Sequence, residues 1–296
     1  MSFFSLDPRD IQLTLNGFPL YGADSYGCEW HTTFQDVAGL FDGAASTLHT
    51  ESKAMTDGWY SNMPRLQGRT ITIEGHIIGR CTESCVSAWN AFKSVLDTGG
   101  MLLTARLGDI GRQARVWQSS SAPMIKWDGV NMLRFSIGLT ALSPYLYGLD
   151  LVSDSTGLPS SSGGMLFPYR FEEPGGSLSS WTWSETVTSG NVALSNVGTA
   201  PSPVMIRIDG PVVNPQVAHV ESGHTIAFEV SLGSGHYATM NGVTHEILID
   251  GTDPARGRVS RREWSQAEAG MNIWGFNASE YSAGARMTVS FYPAYL

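Results

Sequence analysis

Apolar and polar positions alternate along most of this chain with the two-residue period of β-strands. Ile11-Gln12-Leu13-Thr14-Leu15 alternates and runs into Asn16-Gly17, a pair that accepts the left-handed backbone of a tight hairpin. Thr70-Ile71-Thr72-Ile73-Glu74 alternates as cleanly. Leu133, Phe135, Ile137 and Leu139 share one face of a further strand. In the second half, 203–210 and 224–230 show the same pattern. Met240-Asn241-Gly242-Val243 predicts a hairpin leading into 246–250, and 287–292 predicts a last strand. One segment keeps helical spacing instead. With Thr82 as N-cap, Val86, Trp89, Phe92 and Leu96 form one apolar stripe that Gly99-Gly100 ends.

These elements predict a mainly β chain in two parts. Residues 1–150 read as a strand-rich part with one helix, 151–164 as a Ser- and Gly-rich linker, and 165–296 as an antiparallel β-sandwich. No internal repeat of solenoid length is present. Within the first part, residues 39–58 are weakly periodic and rich in Ser, Thr, Ala and Gly. A stretch that long without an element of its own is usually functional. It leads into Trp59-Tyr60 and Pro64, so 39–66 reads as an extended arm or hairpin reaching a neighbouring subunit.

Composition sharpens that picture. Of 296 residues, 42% are hydrophobic and only 15% charged, below the quarter usual for soluble domains, which fits a surface partly covered by other subunits. The net charge is −9, and neither half carries the basic stripe that phosphate binding needs, so no specific nucleic-acid binding is expected. The one dense basic run, Arg256, Arg258, Arg261 and Arg262, lies among Gly, Asp and Ser and reads as a solvated loop. Three cysteines, Cys28, Cys81 and Cys85, make neither a disulfide framework nor a zinc pair, and read as buried free thiols. The N-terminus lacks a basic region followed by an apolar one, and no apolar run approaches the roughly 20 residues of a membrane span. Membrane insertion is not expected.

Candidate chemistry is sparse. No Gly-x-Ser-x-Gly elbow and no phosphate-binding loop occurs. His219, Glu221 and His224 are close in sequence, but their spacing on a strand-turn-strand does not converge as i, i+4 does on a helix. Glu172-Glu173 would face opposite ways on a strand, and Asp250 and Asp253 before Pro254 read as turn chemistry. No catalytic, cofactor-binding or metal residue is assigned, and the chain reads as a non-enzyme. Trp181 and Trp183 share a strand face, and Trp264, Trp274, Tyr281 and Tyr292 add aromatic surface. These residues suit core or subunit packing, or, for Trp181 and Trp183, stacking on a sugar ring.

The order of several motifs resembles the distal tail proteins of siphophages, the phages with long non-contractile tails. The matching stretches are Gly68-Arg69-Thr70-Ile71-Thr72-Ile73-Glu74-Gly75, the helical stripe, and Ala141-Leu142-Ser143-Pro144-Tyr145-Leu146-Tyr147, where the family often has Asp in place of Ser143. In the second half they are Asn196-Val197-Gly198-Thr199-Ala200, Pro203-Val204-Met205-Ile206-Arg207-Ile208-Asp209-Gly210-Pro211 and Asn214-Pro215. Ile249-Asp250-Gly251, Glu263-Trp264, Ala269-Gly270-Met271-Asn272 and Phe291-Tyr292-Pro293-Ala294-Tyr295 follow, with Ala269 where the family typically has Pro.

The resemblance implies a virion protein of the tail tip, assembled in the bacterial cytoplasm. Its N-terminal domain, a β-sandwich with one helix and an extended arm or hairpin, would form a ring, usually of six copies, joining tail tube to tip or baseplate and leaving a lumen for DNA ejection. Its C-terminal domain would be a galectin-like or carbohydrate-module-like sandwich. The implied partners are further copies of itself, the tail tube protein, the tape-measure protein and tail-tip or receptor-binding proteins. No cofactor is implied. The alternative is an adsorption protein whose C-terminal sandwich binds host cell-wall glycan.

Overall fold

The computed structural model describes residues 11–96, 99–162 and 186–296. The chain divides into two compact units, one of residues 1–150 with Ala294–Leu296, the other of Leu151–Pro293.

In the first unit one antiparallel sheet of twelve strands carries the core. Its spine is Arg69–Ile78 paired with Met132–Ala141 through ten consecutive residue pairs, from Arg69↔Ala141 to Ile78↔Met132. Burial alternates along both strands, so Ile71, Ile73 and Ile77 face the core beside Leu133, Phe135, Ile137 and Leu139. Gly75 lies opposite Phe135, and a Cβ there would come within 2.7 Å of the Phe135 ring. Glycine at that position leaves room for the ring. The sheet continues from Met132–Ala141 through Ile110–Gln118 and Met101–Leu107 to Gln12–Leu15 and Phe18–Pro19. That last hairpin turns at Asn16 (φ 47°) and Gly17 (φ 82°), the two left-handed residues the sequence predicts.

The helix, Thr82–Val95, covers the sheet. Its N-cap is Cys81 rather than Thr82, whose hydroxyl instead donates to the Val130 carbonyl at 3.0 Å. The buried face consists of Cys85, Ala88, Trp89 and Phe92, whereas Val86 is 40% exposed. Trp89 and Phe92 join Phe18, Trp30 and Phe135 in one aromatic cluster with ring centroids 5.1 to 6.5 Å apart.

The second unit is a sandwich of two antiparallel sheets. One runs Val152–Gly157, Arg286–Phe291, Met205–Asp209, Tyr237–Asn241, Glu246–Ile249, Asp253–Pro254; the other Asn191–Asn196, Gly270–Asn277, Gln216–His219, Thr225–Phe228, Val259–Arg262. Ile206, Ile208, Met240, Met287, Val289, Trp274, Phe276 and Phe228 belong to a single buried core. Val152–Gly157 corrects the composition-based linker at 151–164. Its Ser and Thr residues pair with Arg286–Phe291 from Val152↔Phe291 to Gly157↔Arg286, and ladder bonds override the low strand preference of a Ser-rich segment. The expected turn at Asn241-Gly242 is likewise a four-residue loop between Asn241 and Glu246, with His245 (φ 57°) as its left-handed residue.

Candidate assembly surface

The segment with no periodicity in sequence is a β-ribbon. Ser46–Thr47 pairs with Arg65–Leu66, and Thr50–Ser52 pairs with Trp59–Ser61. Backbone bonds from Asn62 N–H to the His49 carbonyl and from Gln67 N–H to the Ala45 carbonyl continue the ladder between and below them. About eleven residues per limb give a reach of up to roughly 35 Å.

Its base is fixed by two residues. Gly39 (φ 82°) lies where a Cβ would collide with the Thr70 carbonyl oxygen, so only glycine lets the chain leave the sheet there. Arg69, 4% exposed, donates to the carbonyls of Pro144 (2.6 Å), Leu40 (3.4 Å) and Asp42, and its burial pushes the guanidinium below its ordinary value. The ribbon therefore starts from a rigid root.

Beyond the root no described residue of its own unit covers it. Every residue from Leu48 to Gly68 except Lys53 is exposed. The apolar ones are prominent: Met55 is 96% exposed, Met63 91%, Trp59 67% and Tyr60 65%. A two-stranded ribbon is marginal in water by itself, and exposed indole and thioether side chains add an unfavourable hydration term that a neighbour would remove. A second exposed apolar feature lies in the same unit. In the strand Met124–Trp127, paired with Met132–Ala141, all four residues are exposed, and Val130 next to it is 83% exposed.

The other sequence candidates fall elsewhere. Trp181, Trp183, Glu172 and Glu173 lie outside the described residues. His219 is 1% exposed, and both its ring nitrogens are held, Nδ1 by Ser222 Oγ at 2.8 Å and Nε2 by Glu221 Oε2 at 3.1 Å and Asn272 Oδ1 at 3.2 Å. His224 Nδ1 lies 2.9 Å from the Trp264 carbonyl oxygen. Among the described residues no group of His, Cys, Asp and Glu is placed to hold a metal ion. Trp274 is core, whereas Tyr281 is 63% exposed. In the basic run, Arg258 pairs with Asp253 and Arg261 with Glu263.

Cys28 and Cys85 are buried, and burial pushes the Cys28 thiol up. Cys81 is exposed, contrary to the expectation of a buried thiol, because it caps the helix at the surface; the Ser84 backbone N–H pulls its thiol down. Among the described residues no helix is long and apolar enough to cross a membrane. The sequence marks the ribbon by its weak periodicity, whereas nothing in it sets off Met124–Trp127 as an exposed strand.

No protein-family model matches the chain, and no curated protein sequence does. Among solved structures it is similar to the Dit protein of SPP1, described as a paradigm of the hub adsorption apparatus in phages that infect Gram-positive hosts. The two align with a TM-score of 0.65 and 11% identity over 97% of this chain and 99% of that one. A chain of the phage p2 baseplate, in its activated conformation with strontium, aligns with a TM-score of 0.47 and 10% identity over 92% and 99%. The likeness to the SPP1 protein is one of fold, and it extends across both β units.

Proposed function

We propose that this chain is a structural hub subunit of a phage tail tip. Copies assemble through the first unit into a ring, most simply a hexamer, which joins tail tube to tip and leaves a lumen for DNA. The observation that carries this reading is the ribbon of residues 45–67, rooted by Gly39 and Arg69 and lined with exposed Trp59, Tyr60, Met55 and Met63. A head-to-tail ring requires two different patches on each subunit, one for each neighbour. The ribbon and the exposed Met124–Trp127 strand supply two such patches within one unit. The fold shared with the hub protein of SPP1 supports the same reading. The tail tube protein, the tape-measure protein and tail-tip or receptor-binding proteins are the partners this role calls for. The role is that of a virion component assembled in the host cytoplasm, and it asks for no catalysis.

Light scattering of the full chain at several concentrations and salt levels tests the proposal. The expected result is a closed ring, together with a monomeric but folded variant in which residues 48–63 are replaced by a short turn. A wild-type chain that stays monomeric and also fails to sediment with purified tail tubes would overturn it.

A further inference from the structure

Cys28 is far from Cys85 in sequence, but sheet register brings the two together in the first unit. Glu29–His31 pairs with Arg69–Ile78 from His76↔His31 to Ile78↔Glu29, so one step further along the ladder Cys28 comes opposite Gly79. The chain then turns into Thr82–Val95, and the first turn of that helix sets Cys85 over the same point. A Cβ on Gly79 would lie 2.5 Å from Cys85 Sγ and 3.2 Å from Cys28 Sγ. Glycine leaves that space to the two sulfurs, and the two thiols are hydrogen-bond neighbours.

Both thiols are buried, yet the segments that carry them run along the surface. Tyr26, Gly27 and Glu29 are exposed around Cys28, and Thr82, Glu83 and Val86 around Cys85. A small reagent therefore has to pass one layer of chain to reach the pair. Cys81 stands apart from it. Its sulfur is exposed and accepts the Ser84 N–H as the helix N-cap, whereas Cys85 Sγ faces inward, 3.4 Å from the Asn131 carbonyl.

Two sulfurs without further converging ligands do not make a metal site, and among the described residues no such group converges. What two adjacent thiols can do is couple. A bond between them would close a loop from residue 28 to residue 85. That loop contains the whole ribbon and both residues of its root, Gly39 and Arg69. Closing so long a loop restricts the unfolded chain and so stabilises the folded unit.

We propose that Cys28 and Cys85 are an oxidisable pair that closes to a disulfide when the protein passes from a reducing to an oxidising medium. The co-reactant is a small-molecule disulfide. One cysteine sulfur attacks it, forming a mixed disulfide and releasing one small thiolate. The other cysteine sulfur then attacks the mixed disulfide and expels the second. Two electrons pass to the small molecule, and the two protein thiol protons end on the two released thiols. Only the timing rests on the proposed role: a virion component assembled in a reducing cytoplasm would lock its first unit after release. The coupling itself is a property of the isolated chain.

Oxidised glutathione, added to the purified full chain carrying Cys81→Ser, tests it. That substitution removes the exposed thiol and leaves a good N-cap residue in its place. Alkylation after unfolding should label both remaining cysteines before oxidation and neither after it, with no glutathione retained in the intact mass. The melting temperature should rise by about 5 °C or more on oxidation. A further Cys28→Ser substitution should abolish that rise. In the wild-type chain, non-reducing peptide mapping should join Cys28 to Cys85. Two labels remaining after oxidation, glutathione retained in place of the link, a link to Cys81 in the wild type, or a link that fails to raise the melting temperature would each overturn the proposal.

Discussion

Asp250 shows how a single turn residue ties stability to pH. It occupies the left-handed position at the end of Glu246–Ile249, with φ 51°. One carboxylate oxygen lies 2.7 Å from His236 Nδ1, and the other accepts the Tyr237 N–H at 3.0 Å. The hydrogen bond from His236, followed by the one from Tyr237, holds the carboxyl below its ordinary 3.8. A folded value below the unfolded one means that the stabilisation is complete above 3.8 and disappears as pH falls through the folded value. Asn accepts the same backbone, so Asp250→Asn removes the charge and keeps the turn. Thermal melts should show the variant below wild type at about pH 5, with the gap closing as pH drops under 3.8. A gap that is constant with pH would assign the effect to turn geometry. Turn chemistry at Asp250 is legible in the sequence; its partner His236, fourteen residues earlier, is not, because their meeting depends on the register of Tyr237–Asn241 with Glu246–Ile249.

At the scale of elements, sequence periodicity located the helix but turned its face. The predicted stripe through Val86, Trp89, Phe92 and Leu96 contains one wrong member. At 100° per residue, Cys85, Ala88, Trp89 and Phe92 cluster on one side, and Val86 falls about 100° from their centre. Val is apolar, but its exposed position leaves it at the flank, while the small Ala88 and Cys85 let the helix approach the sheet. Val86→Lys should therefore change stability by no more than about 0.5 kcal/mol, whereas Trp89→Ala should cost about 3–5 kcal/mol. Urea denaturation separates the two, and a Val86→Lys cost as large as that of Trp89→Ala would reverse the assignment of faces. The same logic explains Val152–Gly157. Composition reports what a segment prefers when free, and a Ser-rich segment prefers to be loose. The strand exists because Arg286–Phe291 presents an edge whose backbone groups need partners. In the ribbon the order is reversed. Its lack of periodicity is real, since neither face is buried, and a two-stranded ladder with both faces in solvent leaves no alternating signature to read.

At the scale of the whole molecule, the second unit is an insertion into the first. The chain leaves at Asp150 and returns at Ala294, and its last residues complete the first unit's sheet. Ala294–Tyr295 pairs with Leu146–Tyr147, which in turn meets Ile110–Gln118 at Gln113. The Arg112 guanidinium stacks 3.4 Å from the centre of the Tyr295 ring, and Gln113 donates to the Gly148 carbonyl at 2.7 Å. Nothing local in Tyr292-Pro293-Ala294-Tyr295 announces this return, because a strand that closes a distant sheet reads the same as the tail of its own. The two ends of the inserted unit lie side by side, with Val152 paired to Phe291, so the excursion costs little loop entropy. Removing Ala294–Leu296 should therefore weaken the first unit and spare the second, at a cost of about 1–2 kcal/mol from the lost ladder and cation–π contact. Hydrogen exchange with fragment mass readout should show faster exchange in Ile110–Gln118 and Leu146–Tyr147, and unchanged protection in Met205–Asp209 and Gly270–Asn277. Equal loss in all four segments would mean that the tail stabilises both units at once and that the insertion does not fold as its own cooperative body.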